Sequence, residues 1–89
     1  MAREADQIAQ DHAAMLGSVS VITSVIATHN KGSDATSEDF GHDMTHDEKK
    51  ARVARSNGYL VHMKALEDWG DESFTEIDAA ISAANSFTA

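Results

Sequence analysis

The sequence predicts an all-α fold: a small three-helix bundle with a long polar loop between helices one and two. Three observations predict it. Ile8, His12, Met15, Val19, Ile22, Ile26 and His29 step by 4, 3, 4, 3, 4, 3, which puts all seven on one stripe of a helix. Thr45-His46-Asp47-Glu48 is a capping box, a helix start at which hydroxyl and carboxylate satisfy each other's backbone amides. Apolar residues then recur at helical spacing in two shorter stretches separated by a Trp69-Gly70 turn.

Helix one is predicted over about 3–28, with Glu4 and Asp6 suiting its positive end and Asn30 and Gly32 beyond its other end. Residues 17–26 are rich in Val, Ile, Ser and Thr, which favour strands, and 18–21 alternate. The heptad line crosses them without a slip, which favours helix. Residues 29–44 are the polar loop, where Phe40 and Met44 are the large apolar groups expected to pin it.

Helix two is predicted over about 46–68, with Val53, Tyr59, Leu60, Met63 and Leu66 on its apolar line. Ser56-Asn57-Gly58 interrupts that line: either a break, or a glycine where two helices cross closely. Trp69-Gly70-Asp71-Glu72 reads as a turn, and Ser73-Phe74-Thr75-Glu76 as a second capping box. Helix three follows over about 74–86, with Phe74, Ile77, Ile81 and Ala84 on one side and Phe87 closing it. All 89 residues make a single helical domain.

Size restricts what such a domain can do alone. Of the 42% apolar residues, 15 are Ala, which leaves 22 larger apolar side chains. A chain of this length buries only about 60–65% of its unfolded surface, and without Cys no disulfide adds to that. Burial against another chain is the remaining route to stability. The net charge of −8 argues against nucleic acid and against anionic lipid as partners. No run of about 18 apolar residues suggests a membrane span, and residues 1–6 lack the layout of a signal peptide.

Candidate chemistry is sparse. Asp39, His42, Asp43, His46 and Asp47 carry metal-ligating types at short spacing, but the predicted cap at Thr45 keeps His42 and His46 off one helical face. A solvated acidic loop explains them without a metal. His12 and His29 lie on the apolar stripe, where a hydrogen-bonded packing role fits better than catalysis. Ferritin-like iron sites need Glu-x-x-His, which does not occur; neither does a Walker A loop or a Gly-x-Ser-x-Gly nucleophile. Lys49, Lys50, Arg52 and Arg55 form the one basic patch, which reads as the solvated face of helix two or as a phosphate or acidic-partner contact. Trp69, Phe74 and Phe87 fit either a core or an interface.

Residues 59–85 run helix, Asp68-Trp69 turn, then an Ala-rich helix opening Thr75-x-x-Asp78-Ala79-Ala80-Ile81. This third of the chain resembles the C-terminal part of small acidic proteins from tailed-bacteriophage genomes. The resemblance implies a virion accessory protein of the capsid decoration or cement kind and carries no functional residues over.

The expectation is therefore a non-enzymatic structural protein that assembles through protein–protein contacts as an oligomer or on a capsid shell. No catalytic residue, cofactor, metal, nucleic acid or membrane is expected. The location follows as the virion, after synthesis in the host cytoplasm, or otherwise the cytoplasm. Val19, Ile22, Ile26, Trp69, Phe74 and Phe87 are the expected interface residues. The alternative is an acidic regulator or inhibitor occupying a basic nucleic-acid-binding surface of a target protein; a metal-binding loop is a third reading. Calorimetric titration with zinc is expected to show no saturable site of micromolar or tighter affinity. A one-to-one isotherm abolished by His42→Ala would reinstate the metal-binding reading.

Overall fold

The computed structural model describes residues 4–66 and 68–87; Arg3, the expected start of helix one, and Glu67 lie outside them. Helix α1 spans Ala5–Lys31, 27 residues, or about 40 Å at 1.5 Å per residue. The β-branched stretch is helical throughout, because Ile22 and Val25 are both fully buried and tertiary burial outweighs local propensity. The heptad stripe holds for its first half: Met15 and Ile22 are fully buried, with Ile8, Val19 and Ile26 packed partly against them. Towards the C-terminus Val25 and Thr28 take over as the buried positions. These positions fall one residue earlier than the heptad line at Ile26 and His29, so the covered side of α1 turns along the helix. The helix runs to Lys31, three residues past the expected Thr28, and stops at Gly32, whose φ of 57° is left-handed.

Residues 32–45 are ordered by local hydrogen bonds. A 3-10 turn, Gly32–Asp34, follows α1. Successive turns are then closed by Asp39 N on Thr36 O (2.9 Å), His42 N on Asp39 O (3.1 Å) and Met44 N on Gly41 O (3.0 Å). Of the two side chains expected to pin the loop, Phe40 is 45% exposed and Met44 is half-buried. The backbone of Phe40 is tied to α1, since Thr28 Oγ1 donates to Phe40 O at 2.7 Å. Gly41, with φ 84°, lies where an added Cβ would meet Met44 Sδ at 3.4 Å and Val25 at 3.7 Å.

Helix α2, His46–Lys64, begins with the expected capping box: Glu48 N donates to Thr45 Oγ1 at 3.1 Å and Thr45 N to Glu48 Oε1 at 2.9 Å. It passes through Asn57-Gly58 unbroken. Gly58 is not a close crossing, for a Cβ there would meet nothing within 4 Å. The small buried residue of this helix is Ser56. The helix ends at Lys64, four residues short of Asp68. Asp68 has a φ of 69°, and the chain reverses so that Trp69 Nε1 donates to Met63 O at 3.2 Å. The same carbonyl also accepts from Leu66 N at 3.1 Å, so the indole adds a second donor at the helix end. The reversal also turns Leu66, expected on the apolar line, out to 40% exposure.

Helix α3 is Thr75–Ser86. The second capping box does not form: the N-cap is Phe74, without a side-chain cap, and Ser73 Oγ accepts instead from Thr75 N at 3.4 Å. Ile77 and Ala80 are buried, with Ile81, Ala84 and Phe87 packed partly against the core.

His12 meets Ser73 at one end of the molecule, and His29 meets both His46 and Phe87 at the other. Thus α1 and α3 run parallel and α2 antiparallel between them, an up-down-up bundle of 48 × 22 × 18 Å. Met15, Ile22, Val25, Val53, Leu60, Met63, Trp69, Ile77 and Ala80 form its core. By length and composition residues 5–34, with an 18-residue window of mean hydropathy 1.2, also suffice to cross a membrane. In the bundle their helix packs against both α2 and α3.

Gly17 and Gly58 sit inside helices with open space around the missing Cβ. Gly17→Ala and Gly58→Ala are each expected to raise stability by about 0.5–1 kcal/mol. Thr45→Ala is expected to lower it by about 1 kcal/mol. Urea unfolding midpoints of the three variants check all of this. A destabilising Gly58→Ala would mean that helix two does break there.

Candidate functional site

The residues expected to carry an interface divide by burial. Ile22 has no exposed surface and Trp69 only 8%, so both belong to the monomer's own core and offer a partner almost nothing. The reason is scarcity: a small bundle uses its best aliphatic positions and its one indole internally. Val19, Ile26, Phe74 and Phe87 are half-buried and pack against that core. Trp69 meets Phe74 edge to face at 5.4 Å between ring centroids.

The two stripe histidines are packing groups. His12 Nε2 donates to Ser73 O at 2.7 Å, Glu72 Oε2 lies 3.4 Å from Nδ1, and the ring stands edge-on to Phe74. One side chain of α1 thereby holds the entry to α3. His29 stands edge-on to His46 and to Phe87, each at 5.3 Å, and joins the ends of all three helices.

The loop donors are dispersed. Asp39 Oδ1 accepts from Lys31 Nζ at 2.6 Å and Oδ2 from Thr36 N at 2.9 Å. His42 Nδ1 pairs with Asp43 at 2.7 Å, His46 turns to His29, and Asp47 lies in the first turn of α2. Among the described residues no group of three or more His, Cys, Asp or Glu side chains is placed to hold a metal ion. The Lys31 hydrogen bond, helped by the Thr36 amide, holds the Asp39 carboxyl below its ordinary value of 3.8.

Charge is segregated along the chain. Five of the seven cations, Lys49, Lys50, Arg52, Arg55 and Lys64, lie on α2. The acids gather in the two connections, with Asp34, Glu38, Asp39 and Asp43 at one end and Asp68, Asp71 and Glu72 at the other. Of the basic patch, Lys50 and Arg55 are exposed and Arg52 is half-buried, its Nε without a hydrogen-bond partner.

The surface that sequence reasoning missed is the outer groove between α2 and α3. Val61 (49% exposed), Lys64, Ala65 and Ile81 line its centre, a hollow of about 360 Å³. Asn57 Nδ2 donates to Asn85 Oδ1 at 2.9 Å on one side of it, and Lys64 Nζ to Asp78 Oδ1 at 2.5 Å on the other. A signal for it was present: Asn57, Val61 and Lys64 step by 4 and 3, and Asp78, Ile81 and Asn85 by 3 and 4. These are the mirrored spacings of one face built from two antiparallel helices. No family model matches the chain, and neither a curated protein nor a solved structure does.

The lowered Asp39 carboxyl predicts a pH response. A carboxylate stronger in the folded state than in the unfolded chain adds stability above the ordinary value of 3.8, and that contribution is lost as pH falls through the lowered folded value. Urea midpoints taken from neutral pH down through that range are expected to fall further for the parent than for Asp39→Asn. Parallel profiles would mean that the Lys31–Asp39 bond does not persist in solution.

Proposed function

We propose that the chain is a non-enzymatic structural subunit that works by docking, a virion accessory of the decoration or cement kind on a tailed-phage capsid. One observation carries this reading: Phe40, Val61 and Leu66 stand 40–49% exposed in a domain with few large apolar side chains to spare. Val61 also lies in an apolar hollow with Ala65 and Ile81, and exposed apolar ground of this kind is the usual material of an interface. The polar groups that most invite a chemical role have structural partners instead: His12 on Ser73, His29 on His46 and Phe87, and Trp69 on Met63. The resemblance of residues 59–85 to tailed-phage accessory proteins supplies the biological setting, and shell copies supply the many neighbours from which a weakly cored subunit gains stability.

A specific observation also supports the acidic-regulator alternative. Asp34, Glu38 and Asp43 are exposed together in one connection, and Asp68 and Asp71 in the other, each able to meet a basic surface. Co-sedimentation with the capsid particles of the phage that encodes the chain separates the two. Saturable binding is expected, weakened at least about tenfold by Phe40→Asp or Leu66→Asp with helicity unchanged. Absence of particle binding, together with competition against DNA or RNA for a protein target, would replace the structural reading with the regulatory one.

A further inference from the structure

The outer α2/α3 groove is self-complementary. Across it, residues meet in three levels, each joining one α2 residue to an α3 residue of matching chemistry. Asn57 faces Asn85, amide to amide, and Lys64 faces Asp78, cation to anion. Val61 and Ile81 line the hollow between them, apolar to apolar. Consider a two-fold axis lying along the groove, parallel to the helices. It places α2 of one copy over α3 of the other and leaves each level at its own height. Every match inside one chain is then reproduced between chains: Asn57 over the other copy's Asn85, Val61 over its Ile81, and Lys64 over its Asp78. An isologous contact requires a surface that complements itself in this manner.

From this complementarity we infer that the α2/α3 groove is covered by a second copy of the same chain, in a parallel two-fold dimer. The inference rests on the structural-subunit reading for its purpose but not for its chemistry. Charge supports a second copy. The crossing sets Lys64 of each copy over the other's Asp78, which is attractive, where a contact between the acidic connections of a chain of net charge −8 is repulsive. The Lys64 and Asp78 side chains, 45% and 52% exposed, remain free to join a four-charge network across the axis. Val61, half in solvent within one chain, becomes covered. With α2 of 19 residues and α3 of 12 in a bundle about 20 Å wide, the face amounts to roughly 500 Å² a copy. That is the low end for a specific interface, so the dimer is weak and concentration-dependent.

Light scattering on the purified chain, from a few micromolar to about 1 mM, tests this without any particle present. A mass rising from 9.6 kDa towards twice that value is expected. Val61→Asp should weaken the dimer at least about tenfold with helicity unchanged. The charge pair supplies a test specific to the axis. Lys64→Glu alone sets acid over acid at both crossings, and Asp78→Lys alone sets cation over cation, so each variant should remain monomeric. Mixed in equal amounts, unlike copies join opposite charges at both crossings, and the mixture should recover the dimer mass. A parent that stays monomeric throughout, a dimer that none of the substitutions alters, or a mixture that does not recover would each overturn the proposal. A monomer that still binds particles would leave the structural-subunit reading standing, while a dimer that binds none would remove that reading and leave the dimer.

Discussion

The buried edge of α1 is the contact on which every other part of the bundle depends. Met15, Ile22 and Val25 are fully enclosed, and Leu60 of α2 and Ile77 of α3 close over them. Complete burial of such a side chain is worth about 1.5–3 kcal/mol, and the described core has nine residues, one of them an Ala. Both α2 and α3 depend on it, because most helical stability in a folded protein comes from packing an apolar face rather than from the helix alone.

Around that edge, single polar contacts decide how the chain turns. Thr28 Oγ1 holds the Phe40 carbonyl, Trp69 Nε1 holds the end of α2, and His12 holds the entry to α3. Each is a net contribution of about 1 kcal/mol, small beside the core. Their effect is on direction. The Trp69 bond brings an indole back into the core where a longer α2 would have carried it away. It also leaves Leu66 outside and opens the face that α3 then joins.

Charge and burial together give this small protein distinct surfaces. Acids crowd the two ends, cations lie along α2, and the outer groove between α2 and α3 sets amide against amide and lysine against aspartate with aliphatic side chains between. The proposed side-by-side pairing of two copies uses that groove and keeps the acidic ends apart. That geometry suits a subunit repeated over a larger surface, where orientation matters as much as affinity.

The sequence by itself determined the helical class, the capping box at Thr45 and Glu48, and the first half of the α1 stripe. These are local: a hydroxyl three residues from a carboxylate, and a repeat close to the helical period, act through neighbours along one helix. Tertiary structure decided the rest. It moved the α1 seam to Val25 and Thr28, one residue earlier than the heptad line, because packing against the other elements decides which side of a long helix is covered. It drew Trp69 into the core and left Val61 and Leu66 outside, a division no periodicity sets because it depends on where the chain reverses. Most of all, it made a face of Asn57, Val61 and Lys64 with Asp78, Ile81 and Asn85. Each half is an ordinary spacing on its own helix. Only antiparallel packing brings them level.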